Sequence, residues 1–197
     1  MADLSTQPFT TASQTLVNYD NTDVSNGTGY ETYYLIESED STGKDYHLTP
    51  TRDYSNNVSL QVLNSTQNHD YDLTPFTIPK VINGDVLISL PVQGTANATY
   101  PIIAELYKWN GTTETQLGST INYSFVANAG ATVRMLYFIM PIVNTLIPSG
   151  ETLRLRISIA RAGATPGYLG IDPANRTNSN LTITTTSKIS VPYKLDL

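Results

Sequence analysis

The sequence predicts an all-β fold, an antiparallel β-sandwich, and three observations carry that prediction. Apolar and polar residues alternate in segment after segment, most plainly in Leu153-Arg154-Leu155-Arg156-Ile157-Ser158-Ile159. That is the period of a strand with one face buried and one face wet. Turn residues punctuate the segments, as in Ile147-Pro148-Ser149-Gly150-Glu151, at the spacing expected of sandwiches and barrels. No convincing amphipathic stretch of about ten or more residues shows the helical period. Leu153, Leu155, Ile157 and Ile159 are therefore expected to face the core, with Arg154, Arg156 and Ser158 outward.

Taken in order, residues 1–28 are rich in Thr, Ser, Asn and Asp and offer only Leu16 and Val17 to a core. They read as an extended N-terminal arm, ordered against a neighbouring subunit. Residues 29–197 then form a single sandwich domain. Tyr30 to Ile36 reads as the first firm strand, followed by the acidic turn Glu37-Ser38-Glu39-Asp40-Ser41-Thr42-Gly43 and a returning strand from Lys44 to Leu48. Val58, Leu60 and Val62 mark another strand, and Asn64 to Asp70 a polar loop. Leu73 to Ile78 holds Pro75, which favours an edge or a strand start. Asn83-Gly84 reads as a turn ahead of a short buried strand, Val86 to Leu90. Ile102 to Trp109 ends at a second turn, Asn110-Gly111, and Thr113 to Gly118 returns from it. Ile121 to Val126 continues, and Ala127-Asn128-Ala129-Gly130 is a loop. Val133 to Val143 is the most apolar stretch, shortened or bent by Pro141. After Leu153 to Ile159 come a loop with Gly163 and Pro166, then Tyr168 to Ile171. Leu181, Ile183 and Ile189 mark a Thr-rich strand near the end. The count is about ten strands.

Composition narrows the function. The 197 residues are 40% hydrophobic, enough for a core, while only 14% are charged. Thirteen Tyr against four Phe and one Trp suit half-buried strands that leave a hydroxyl for water or a partner. A net charge of -6 with scattered Lys and Arg argues against nucleic-acid binding, which needs a basic face. There is no Cys, so disulfides, thiolate nucleophiles and Cys-ligated metals are excluded. No run approaches membrane-spanning length, and the first residues lack a basic and an apolar region of a secretory signal. A protein made and kept in a cytoplasm, or released by lysis, is the expectation.

No catalytic motif stands out. His47 and His69 lie on different elements, each without a recognisable pattern around it. The carboxylates of Glu37-Ser38-Glu39-Asp40 and Asp70-Tyr71-Asp72 could supply oxygens to calcium, but neither has the spacing of a dedicated loop, and solvated acidic turns are expected. Trp109 beside Asn110-Gly111 could serve as a sugar-stacking platform, although packing at the core rim is the expected role. The sequons at Asn97 and Asn122 are expected to stay unglycosylated. The expected sets of catalytic, cofactor-binding and metal-binding residues are all empty.

The order of motifs nevertheless resembles a family. Leu106-Tyr107-Lys108-Trp109-Asn110-Gly111-Thr112-Thr113-Glu114-Thr115 is similar to a hairpin of virion structural proteins of tailed phages, and so is Ile147-Pro148-Ser149-Gly150-Glu151-Thr152-Leu153-Arg154-Leu155. Asp172-Pro173-Ala174-Asn175-Arg176 and Val191-Pro192-Tyr193-Lys194-Leu195 extend the resemblance over residues 80–197. It implies a jelly-roll-like, non-enzymatic capsid decoration or auxiliary head protein of a bacteriophage. Such a protein would sit on the virion surface, bind the major capsid protein as a small closed homo-oligomer such as a trimer, and stabilise the shell. The arm, and Val191 to Leu197, could order on a neighbour. The alternative is a carbohydrate-binding or host-attachment module of a head or tail fibre.

Overall fold

The computed structural model describes residues 28–39, 44–52, 59–63, 67–95, 97–128, 131–159, 167–171 and 186–194. The proposed arm through residue 27, the Asp40 to Gly43 turn, the loop with Gly163 and Pro166, Asp172 to Arg176, and Leu181 with Ile183 lie outside them. The described residues contain no helix. They form eleven strands: β1 (Thr28–Glu39), β2 (Lys44–Thr49), β3 (Ser59–Leu63), β4 (Gln67–Asp72), β5 (Lys80–Thr95), β6 (Thr99–Trp109), β7 (Glu114–Val126), β8 (Ala131–Ile147), β9 (Thr152–Ile159), β10 (Gly167–Ile171) and β11 (Lys188–Lys194). The fold is all-β, as the alternation predicts.

All eleven belong to one curled sheet in the order β3-β10-β5-β11-β1-β2-β4-β9-β6-β7, with β8 on the remaining edge of β5. Every pairing is antiparallel except a single parallel pair, His47 with Asp72, that joins β2 to β4. That narrow junction divides the sheet into two halves, which share one hydrophobic core as the layers of a sandwich do. β9 behaves as its pattern dictates: Leu153, Leu155, Ile157 and Ile159 are all buried in the core, while Arg154 and Arg156 lie on the opposite face. Ser158 also takes that outer face, yet it is buried, and its hydroxyl donates to Asn68 Oδ1 at 2.6 Å.

Four elements depart from the pattern reading. Asn83-Gly84 is no turn: β5 runs straight through it, and the register with β8 shifts between Ile82 and Gly84. Gly84 takes φ +131° and Asn144, beside it on β8, takes φ 40°, so both strands bulge together. The bulge answers Pro192, which sits in β11 and has no N–H for the ladder. The β11 register to β5 also shifts there, and a Cβ on Gly84 would lie 3.3 Å from Pro192 Cγ. Val191 and Tyr193 are buried within this interior strand, so the described part of the C-terminal segment completes its own sheet. Thr113 to Val126 is likewise one strand, β7, with Gly118 at φ +66°. Residues 67–72 form β4 where a polar loop to Asp70 and an acidic turn to Asp72 were expected, because His69 and Tyr71 point inward while Asn68, Asp70 and Asp72 point out. Finally, β8 passes Pro141 and continues to Ile147.

The layers close tightly at one end. A Cβ on Gly94 would lie 2.6 Å from both Ala127 Cβ and Tyr100 Cε2, and 2.8 Å from Phe125 Cε1. Gly94→Ala is expected to cost about 1–3 kcal/mol through overpacking, and Leu155→Ala about 2–5 kcal/mol through the cavity it leaves. Urea unfolding of the two variants and of the exposed control Ser119→Ala, with near-zero change expected for the control, checks both.

At another end two buried tyrosines meet a half-buried ion pair. The Tyr33 hydroxyl donates to Glu31 Oε2 at 2.6 Å and lies 3.5 Å from the Tyr193 hydroxyl. Lys80 Nζ donates to Glu31 Oε1 at 3.2 Å and sits 5.4 Å from the centre of the Tyr193 ring. Burial, more than any neighbouring group, raises the pKa of Tyr33, Tyr193 and the fully enclosed Tyr71 above the ordinary tyrosine value. In the unfolded chain these hydroxyls ionise near pH ~10. Above that pH the unfolded chain holds fewer protons than the native one, so stability is present in full below it and lost as pH rises. The urea midpoint is expected to fall as pH climbs past about 10, with a shallower fall in Tyr33→Phe.

Candidate functional site

The sandwich has two outer faces, and the chain treats them differently. On the half formed by β4, β9, β6 and β7, side chains lock one another in place. Arg154 donates from Nε and Nη2 to Asp72, both at 2.6 Å, and Arg156 does the same to Asp70 at 2.6 and 2.7 Å. Glu114 Oε1, reaching across from β7, accepts from Arg154 Nη1 at 2.5 Å and from Arg156 Nη2 at 2.8 Å. Beneath the guanidinium groups lie aromatic rings of β6: Trp109, its centre 4.0 Å from Arg154, and Tyr107, 4.9 Å from Arg156. The Tyr107 hydroxyl donates to Glu105 Oε2, and the Thr120 hydroxyl to Glu105 Oε1, each at 2.9 Å. Bonds to Asp72 and Asp70, opposed by burial, hold the two guanidinium pKa values above the ordinary arginine value.

This network decides several sequence candidates. Asp70 and Asp72 are each committed to an arginine in a two-pronged pair, so neither is free to ligate calcium. One face of the half-buried Trp109 is covered by a cation, so that face of the indole is not an open sugar platform. Asn110 Oδ1 instead shapes the turn beside it by accepting from Thr112 N and Thr113 N, at 2.9 and 2.8 Å. Tyr46 packs edge-on to both His69 and Tyr71 on the inner side, which places His47, its neighbour in β2, on the outer side with Asp72. The two histidines thus stand on opposite faces and form no common site. Glu37 is half-buried in β1, and no group of three or more His, Cys, Asp or Glu side chains that could hold a metal occurs among the described residues. Asn97 and Asn122 are exposed.

The other outer face is apolar and open. Along β8, Tyr137 is 72% exposed, Ile139 62%, Val143 77% and Leu146 50%, and Leu87 of β5, opposite Ile139, is 41% exposed. The inward residues of the same strand, Leu136, Met140 and Ile142, are buried in the core. Exposed apolar rows of this kind mark interaction surfaces. The alternation reading missed it because an unbroken apolar run reads as a strand covered on both faces. The chain's described residues cover only one.

The arginine network is expected to stabilise the fold more than a surface ion pair, which contributes about 0–1 kcal/mol. Asp72→Asn should cost about 1.5–3 kcal/mol, the range for hydrogen bonds to charged groups. A double-mutant cycle with Arg154→Met, read by urea unfolding, measures the coupling directly.

No protein-family model matches the sequence, and no curated protein matches it. Among solved structures the chain is similar to a CocE/NonD family hydrolase from Staphylococcus aureus, at a TM-score of 0.57 and 11% identity, over 85% of this chain and 37% of the hydrolase. A second structure of a CocE/NonD family hydrolase from the same organism aligns at a TM-score of 0.52 and 11% identity, over 84% of this chain and 37% of that one. Infectious bursal disease virus, Gt strain, aligns at 12% identity over 80% of this chain and 41% of that one, with a TM-score of 0.26, too low to indicate a shared arrangement of strands. The chain spans little more than a third of the hydrolase's length, and at such identities the likeness is one of fold alone.

Proposed function

We propose that this chain is a non-enzymatic structural protein of a virion that binds and stabilises the outside of a capsid as a homo-oligomer. The observation that carries the reading is the open apolar face of β5 and β8, set on a fold whose other outer face is closed by its own ion pairs. A surface of that kind binds other protein surfaces. The resemblance of the Leu106 to Thr115 and Ile147 to Leu155 hairpins to tailed-phage virion proteins supplies the capsid as partner of the oligomer that this face would form. Repeated weak contacts across several shell subunits would stabilise the lattice by multivalency, without chemistry.

The likeness to CocE/NonD hydrolases favours a second reading, a non-catalytic β-region of a larger hydrolase, because the chain matches 37% of such a protein. Quantitative mass spectrometry of virions purified from lysates in which the chain is made separates the two. A copy number rivalling that of the major shell subunit is expected. A handful of copies, as in a fibre or tail part, or absence from the particle overturns the decoration reading.

A further inference from the structure

We propose that the outer face of β5 and β8 is the interface between two copies of this chain, packed face to face about a two-fold axis. The inference rests on reading the chain as a homo-oligomer and names the surface that makes it one; it does not depend on what the oligomer decorates.

Three observations converge on a second copy. The first is chemical. From Met135 to Gly150 there is no Asp, Glu, Lys, Arg or His, in a chain whose net charge is -6. A partner recognised by charge finds only the exposed Asp85 of β5, opposite Pro141, beside the row, whereas a second copy brings an equally apolar row.

The second concerns the edge. β8 bonds only β5 among the described residues, so a peptide could in principle add a strand to its other side. Midway along that side β7 comes close: a Cβ on Gly118 would lie 3.2 Å from the Pro141 carbonyl oxygen and 2.9 Å from Met140 Cγ. Pro141 also removes a donor from the middle of the strand. Contact is therefore made through the side chains of the face.

The third is area. The exposed parts of Tyr137, Ile139, Val143, Leu146 and Leu87 together offer roughly 500 Å². Two copies would remove about 1,000 Å² from water, the lower bound for a specific interface. The same apolar row presented by both copies can meet itself across a two-fold axis.

The test uses the full chain in sedimentation velocity from about 1 to 100 μM, the range a modest interface spans. A dimer is expected, and the double variant Ile139→Glu, Val143→Glu should be monomeric with an unchanged circular dichroism spectrum. Because the chain has no cysteine, single Tyr137→Cys, Ile139→Cys and Val143→Cys variants report proximity cleanly. At least one of the three should form a disulfide-linked pair on mild oxidation, while Thr112→Cys in the β6–β7 turn should not. These variants decide the matter should the double variant fail to fold. A monomer or a trimer throughout, an unchanged mass in the double variant, absence of cross-linking at all three positions, or binding of monomers to neutral phosphatidylcholine vesicles overturns the proposal. A dimer of a protein absent from virions overturns the decoration reading alone.

Discussion

The structure depends on β5 having both of its edges filled. β8 lies along one side from Lys80 to Thr95, and β11 and then β10 share the other. A strand bonded on both sides must solve every irregularity of its neighbours at once. Pro192 in β11 leaves a gap in the ladder, Gly84 turns aside to meet it, and Asn144 on the far side bends with Gly84. The coupled bulge passes through three strands and adds local twist. It helps one sheet to curl until its two halves meet over a common core.

Much of this is legible in the sequence where one face is wet and the other dry. β9 reads correctly because Arg154 and Arg156 are long, charged and unmistakably outside. The opposite charges hide β4: Asn68 and Asp70 read as a loop, and Asp72 as part of an acidic turn, because their partners lie on β9, some 86 residues away in the chain. Paired Asp-x-Asp and Arg-x-Arg spacings could have matched the two strands, since both repeat at the period of two. Asn83-Gly84 misled for a different reason. Its left-handed tolerance serves turns and bulges equally well, and only the location of Pro192 decides between them. The open face of β8 was the least legible, because burial is a property of what lies opposite.

The two outer faces show how one fold separates stability from recognition. The arginine face contains many polar groups, yet nearly all of them are spent on each other, with aromatic rings filling the space beneath. It is polar and closed. The β8 face contains little that can hydrogen-bond and leaves its side chains in water. The number of polar side chains alone would have suggested the opposite assignment.

The register of β1 on β11 carries a consequence of its own. Thr28 pairs with Lys194, and Tyr34 with Lys188, so strands from opposite ends of the chain lie zipped together in the interior of the sheet. The points at which the polypeptide enters and leaves the described fold are therefore neighbours in space. Such a unit can be spliced into a loop of a larger protein with little disturbance to its host. The arrangement also sets the tempo of assembly. The pairing that completes the sheet joins residues some 160 positions apart, so a growing chain cannot finish folding until its last strand is made. Contacts of that separation form late and slowly. Until then the edge of β5 that β11 fills lies open to other strands.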